Sequence, residues 1–99
     1  MKGYVYLLKT ELDGKYVYKV GYSKNNPLKR IKQLQTGSPN EISIESFYES
    51  IHARKIETVI HRLKKPNRIM GEWFMFNENE VSEFKTLCST IDLNMMLIN

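Results

Sequence analysis

Five side chains of the kinds that take part in phosphodiester hydrolysis are spread over the first two thirds of the sequence. A tyrosine and a lysine lie in strand-like segments, an arginine lies in one helix-like segment, and a glutamate and a histidine lie in another. The glutamate and the histidine are four positions apart, so they share one side of their helix. Brought together, these residue types would form a reasonable phosphodiester site. The five residues are Tyr6, Lys19, Arg30, Glu57 and His61.

Each of these residues also has an ordinary structural explanation. Tyr6 could be a strand aromatic that packs on a neighbour, and Lys19 could be a solvated strand residue. Arg30 and Glu57 could pair with each other as a structural salt bridge. His61 could be a surface or half-buried helix residue. Spacing alone leaves these alternatives open, so the elements that position the residues have to be considered.

The chain begins with the pattern of a β-hairpin. Residues 3–9 are rich in aromatic and branched side chains, which predicts a strand. Asp13-Gly14 is a strong hairpin turn, and residues 15–22 form the returning strand. Lys19 and Gly21 then share one face of that strand. The other face carries Tyr16, Tyr18, Val20 and Tyr22.

The middle of the chain alternates between helical and extended patterns. Asn26-Pro27 predicts a helix start, followed by an apolar face of Leu28, Ile31 and Leu34 and a stop at Gly37 and Pro39. Residues 41–49 alternate as a third strand, and residues 52–63 show helical spacing of apolar residues. Residues 64–68 are predicted to form a basic loop.

The last third predicts a short strand and a third helix. Residues 72–76 form an aromatic extended segment. Asn77, with Glu80 three residues later, is a capping box. The third helix then presents Val81, Phe84, Leu87 and Ile91. The apolar tail at 95–98 is predicted to dock onto the body or onto a second copy, as in a homodimer.

This order of elements predicts one α/β domain over residues 1–99, with a small central, mostly antiparallel sheet flanked by three helices. The motifs fall within about residues 3–77, and residues 78–99 supply the last helix and the tail. A single domain of 99 residues can bury a modest core of its own.

The charge of the chain is distributed unevenly. Residues 1–68 carry 14 Lys and Arg against 6 Asp and Glu, whereas residues 69–99 carry one Lys against five acidic residues. A basic body with an acidic end favours a polyanion such as DNA as the partner. Candidate phosphate contacts are Lys29, Lys64, Lys65 and Arg68, although a solvated loop explains the last three nearly as well.

Other features restrict the class of protein. No apolar run approaches the length of a membrane span, and the start lacks the pattern of a signal peptide. Cys88 is the only cysteine, which excludes an internal disulfide and a cysteine-built zinc site. We therefore expect an intracellular, cytoplasmic protein with no membrane partner.

Short motifs in this order resemble the GIY-YIG nuclease superfamily, in particular its short phage, viral and bacterial branch. The resemblance covers about residues 3–77. It is carried by Tyr4-Val5-Tyr6, Lys19-Val20-Gly21 after the hairpin, Arg30, Glu57 with His61, and Gly71-Glu72-Trp73-Phe74.

The resemblance implies a DNA endonuclease with one Mg²⁺ or Mn²⁺ ion. Glu57 would bind the metal, Tyr6 would accept a proton from the attacking water, and Lys19 would favour the phenolate form of Tyr6. Arg30 would hold the phosphate, with His61 in an auxiliary role. The rival hypothesis is an inactive nucleic-acid-binding module, supported by Leu34 at a family catalytic position.

Overall fold

A computed structural model describes residues 1–36 and 41–98, without the side chains of Arg30, Leu34, Thr36 and Ile98. The predicted helix stop at Gly37 and Pro39 lies outside the described residues. The strands are β1 (Gly3–Leu12), β2 (Lys15–Ser23), β3 (Ile42–Ser50), β4 (Arg68–Met70) and β5 (Trp73–Phe74). The helices are α1 (Pro27–Thr36), α2 (Ala53–Leu63), α3 (Glu78–Ser82) and α4 (Phe84–Ile98).

The five strands form one antiparallel sheet in the order β3-β1-β2-β5-β4. β1 and β2 are joined by the predicted turn, in which Asp13 and Gly14 both have positive φ. Two successive residues with positive φ are what a tight hairpin turn of this twist requires. The prediction of an α/β domain built on an antiparallel sheet is confirmed.

The main core lies on one face of the sheet. Val5, Leu7 and Val20 on the strands pack with Ile56 and Ile60 of α2, and all five are buried. The helical spacing of Ile56 and Ile60 places both on one side of α2, which explains why this helix lies on the sheet. Consecutive strand residues point to opposite faces, so Tyr6 and Lys19 lie on the face away from α2.

Three details of the sequence prediction are wrong. Leu28 and Leu63, expected on apolar helix faces, are 59% and 57% exposed. Arg68, expected in a loop, begins strand β4, which pairs with β5. The third helix is divided at Glu83 into α3 and α4, so the described residues form four α-helices, and a short 3-10 helix at Lys65–Asn67, where three helices were predicted. Local patterns do not contain the pairing partner that turns an extended segment into a strand.

The C-terminal helix is joined to the start of α2 by a polar cluster. Asp92 accepts hydrogen bonds from the Tyr48 hydroxyl and from Nδ1 of His52, both at 2.9 Å. The apolar tail is partly consistent with docking, because Met95 packs against the core while Leu97 is 83% exposed. No helix among the described residues is both long and apolar enough to cross a bilayer.

Candidate metal centre and nucleic-acid interface

Three potential metal ligands meet at one edge of strand β2. Glu57 and His61 lie one turn apart on α2, and Glu72 lies directly before β5. One ligand atom from each of these residues lies within 4.8 Å of the others. The meeting depends on β5 lying beside β2, where the amide of Val20 donates to the carbonyl oxygen of Glu72 at 3.3 Å.

His61 is held in a defined orientation by the backbone. Its Nε2 lies 2.8 Å from the carbonyl oxygen of Val20, and a carbonyl can only accept, so Nε2 carries the proton. The imidazole also stands edge-on to the buried Phe74, with a centroid distance of 5.0 Å. Because Nε2 carries the proton, the lone pair of the neutral His61 imidazole is on Nδ1. A histidine whose other nitrogen donates to a backbone carbonyl is the usual arrangement at a metal site.

Glu57 is a half-buried carboxylate in an unfavourable electrostatic position. Burial raises the pKa of Glu57, and His61 and Arg54 act in the opposite direction while the neighbouring Glu72 raises the pKa further. A group of this kind gains from a nearby cation, because a positive charge favours its ionised form. The local charge therefore fits a bound divalent ion.

Lys19 is already engaged with one of the three candidate ligands. Its Nζ lies 3.4 Å from Oε2 of Glu72, and the two side chains are 15% and 48% exposed. The ammonium also lies 5.9 Å from the centre of the Trp73 ring. Lys19 is thus positioned at the candidate metal centre, where it competes with a cation for Glu72.

Tyr6 is deeply buried beside a glycine. Its side chain is 2% exposed, and Tyr6 pairs with Gly21 across the β1–β2 ladder. A Cβ at Gly21 would overlap the phenol ring and hydroxyl, so only glycine fits there. Gly21 follows Val20, whose carbonyl oxygen accepts from His61, so the residue beneath the Tyr6 ring is the strand neighbour of the residue that holds His61.

The structure does not place every predicted site residue. The backbone of Arg30 lies in α1, but its side chain lies outside the described residues. Conversely, Glu72 was given no role by the sequence, although it stood within Gly71-Glu72-Trp73-Phe74. The ion pair between Glu72 and Lys19 depends on β5 lying beside β2, and the sequence contains no signal of that strand order.

The predicted nucleic-acid contacts have different surroundings. Lys29, Lys65 and Arg68 are exposed. Lys64 is partly buried, and its ammonium lies 3.0 Å from Oε2 of Glu80. Glu80 in turn accepts from the amide of Asn77 in the predicted capping box. Lys64 therefore has a structural contact that competes with any phosphate.

Comparison with known proteins identifies a family. A family model described as the T5orf172 domain matches residues 3–89. The chain is 31% identical over 97 residues to the "Putative KilA-N domain-containing protein 315L" of Invertebrate iridescent virus 6. That alignment covers 93% of this chain and 42% of the relative, so the chain spans less than half of the relative's length. No solved structure matches significantly.

The chain belongs to the T5orf172 domain family, and its identification with the GIY-YIG superfamily is wrong. The motifs behind that identification are two or three residues long and fall on aromatic strands and amphipathic helices that unrelated α/β domains also contain. The roles that it implied for Tyr6, Lys19 and Arg30 lose that support. The roles of Tyr6 and Lys19 now depend on the geometry of the described residues, which do not include the side chain of Arg30.

Proposed function

We propose that this member of the T5orf172 domain family is a divalent-metal-dependent endonuclease that hydrolyses phosphodiester bonds of DNA. The observation that carries the proposal is the grouping of Glu57, His61 and Glu72 within 4.8 Å beside the ammonium of Lys19. A DNA partner is supported by the basic charge of residues 1–68 and by a family of DNA-binding or nuclease-like modules.

The donor set suits Mg²⁺ or Mn²⁺. Carboxylate oxygens are preferred ligands of both ions, and the imidazole nitrogen of His61 favours Mn²⁺. Glu57 and Glu72 would supply negative charge, and Nδ1 of His61 would supply the third donor. When bound, the ion would stabilise the negative charge that develops on the phosphate and the leaving 3′ oxygen.

The remaining residues would act on the substrate and its protons. Lys19 would leave Glu72 when the metal binds and would then neutralise a phosphate oxygen near the reacting atom. Tyr6, as the phenolate, would accept a proton from the attacking water at Oη and become the neutral phenol. The burial of its ring beside Gly21 holds that hydroxyl in place with little conformational freedom.

Two observations favour a second candidate, a nucleic-acid-binding module without turnover. Tyr6 is 2% exposed, which limits the access of water to a proton acceptor. The Lys19–Glu72 ion pair occupies one of the three metal ligands. Under this hypothesis the three ligands would be a structural polar cluster, and the parent protein would bind DNA without cutting it.

Supercoiled plasmid distinguishes the two functions. The endonuclease hypothesis expects nicked circles with Mg²⁺ or Mn²⁺ and none with EDTA. Glu72→Gln should reduce nicking strongly, whereas the control Glu83→Gln, an exposed carboxylate between α3 and α4, should leave it unchanged. DNA binding without metal-dependent nicking under any of these conditions would identify the chain as a binding module.

A further inference from the structure

A second basic feature lies next to the candidate metal centre and has no role in the chemistry above. Arg54 is exposed on α2, three residues before Glu57. Its guanidinium carbon lies 4.6 Å from the centre of the Tyr22 ring. Arg54 and Glu57 are three residues apart, nearly one helical turn, so they lie on the same side of α2.

The Tyr22 ring is itself fixed. It approaches the backbone at Gly3 so closely that a Cβ there would lie 2.8 Å from Cε1 of the ring. The ring is half-buried against the core. Tyr22 therefore provides a rigid surface that orients the arginine.

Stacking leaves the hydrogen-bonding edge of the arginine available. A guanidinium stacks through its flat face, while its N–H groups lie in the plane and match the oxygens of a phosphate. No ion pair joins Arg54 to a carboxylate within the described parts of the chain. The side chain lies over an aromatic ring and makes no direct ion pair, although its charge also acts on Glu57, whose pKa it lowers.

Tyr22 also forms one wall of a cleft of about 280 Å³ between the end of β2 and the start of α1. The cleft is lined by two exposed lysines, Lys24 and Lys29, and by polar side chains, and it contains no acidic residue. Positive charge therefore continues from Arg54 across the Tyr22 ring into the cleft. Such a row of cations along a groove fits the backbone of a nucleic acid.

We propose that Arg54, stacked on Tyr22, binds a backbone phosphate of the DNA next to the metal centre, and that the strand continues along the cleft lined by Lys24 and Lys29. The inference rests on the proposed function for the identity of the ligand. It gives the arginine role to a residue of α2, whereas the sequence had given it to Arg30 of α1.

The test measures DNA binding in EDTA, so that it does not depend on cleavage. Affinity for a labelled duplex would be followed by fluorescence anisotropy over a series of salt concentrations for the parent protein and three variants. Arg54→Met removes the charge and keeps the aliphatic stem, and Arg54→Lys keeps only the charge. Lys85→Met is the matched control, because Lys85 also lies over an aromatic ring, 5.8 Å from the centre of Phe47, but on α4 and away from this cleft.

We expect Arg54→Met to weaken binding roughly ten- to a hundredfold and to reduce the log–log salt slope by about 1. Arg54→Lys should keep most of the slope but not the affinity, since lysine lacks the flat, bidentate group. Lys85→Met should change neither quantity. Circular dichroism would confirm that the variants fold.

Equal effects of Arg54→Met and Lys85→Met would overturn the inference, even if the parent protein nicks plasmid with Mg²⁺. Full recovery of affinity by Arg54→Lys would overturn the role of the Tyr22 stack. Conversely, a slope loss specific to Arg54 in a protein that never nicks DNA would support this inference and reject the endonuclease activity.

Discussion

The carbonyl oxygen of Val20 accepts a hydrogen bond from Nε2 of His61 at 2.8 Å. This contact joins the middle of strand β2 to helix α2 and fixes which nitrogen of the imidazole carries the proton. The amide of the same residue donates to Glu72. One strand residue thus positions two of the three candidate metal ligands through its backbone, and no substitution other than proline would remove either contact directly.

Glu57→Gln should abolish cleavage and preserve the fold. The amide keeps the shape of the side chain but loses the charge that would hold the cation, so we expect at least a hundredfold loss of nicking rate if the metal supplies several kcal/mol. Because burial and Glu72 both raise the pKa of Glu57, removal of its charge should not destabilise the folded protein. Plasmid nicking and thermal unfolding would be measured together. Unfolding of the variant would show that Glu57 is a structural residue instead.

Lys19→Met should strengthen metal binding and weaken cleavage. The substitution removes the ammonium that lies 3.4 Å from Glu72 and therefore frees this carboxylate for the cation. We expect a several-fold lower Kd for Mn²⁺, of the order set by one partly screened charge interaction. Calorimetric titration with Mn²⁺ would measure it, with Lys9→Met as the control. An unchanged Kd would mean that Glu72 is not a ligand of the metal.

Lys64 should behave differently from its basic neighbours. Replacing Lys65 and Arg68 with Gln should reduce the log–log salt slope of DNA binding by about 2 if each contacts one phosphate. Lys64→Gln should leave the slope unchanged and instead lower the free energy of unfolding by at most about 1 kcal/mol, because its partner is Glu80. A slope loss for Lys64→Gln equal to that of its neighbours would mean that the ion pair opens on DNA binding.

Gly21→Ala should disturb Tyr6. The added methyl group would overlap the phenol ring, and relief of such overlap in a packed region costs typically about 1 to 3 kcal/mol. Urea unfolding would report the loss. A wild-type stability would show that the Tyr6 ring can move away from β2 without cost.

Asp92 should make the attachment of α4 sensitive to acid. Burial alone raises the pKa of Asp92, but hydrogen bonds from His52, Tyr48 and Ser50 together outweigh it, and the pKa is lowered overall. A carboxyl whose pKa is lower in the folded state stabilises the fold above its unfolded pKa, and that contribution is lost as the pH falls through the folded pKa.

We therefore expect Asp92→Asn to destabilise the protein by about 1 kcal/mol at pH 7. The difference from the parent should disappear in acid, once the parent's own Asp92 is protonated. Urea unfolding at several pH values measures both quantities. A difference that persists undiminished at the lowest pH would assign the effect to packing and not to ionisation.

The sequence by itself determined the elements that depend on neighbours within four residues. Asp13-Gly14 predicted the hairpin, the spacing of Ile56 and Ile60 predicted the buried side of α2, and Asn77 with Glu80 predicted a capping box that the structure contains. In each case the residues that decide the structure are close together in the chain, so a local pattern is sufficient. Glu57 and His61 could be placed on one side of their helix for the same reason.

Only the tertiary structure decided which residues meet across the chain. Glu72 joins Glu57 and His61 because β5 pairs with β2, Lys64 pairs with Glu80, and Arg54 stacks on Tyr22. None of these contacts leaves a periodic signal, since each depends on strand order and on where a helix crosses the sheet. Short motifs could not replace this information, and those that suggested a GIY-YIG nuclease described the strands and helices that carry the site without identifying the family. The burial of Tyr6 beside Gly21 likewise follows from cross-strand register, which a single strand's sequence does not contain.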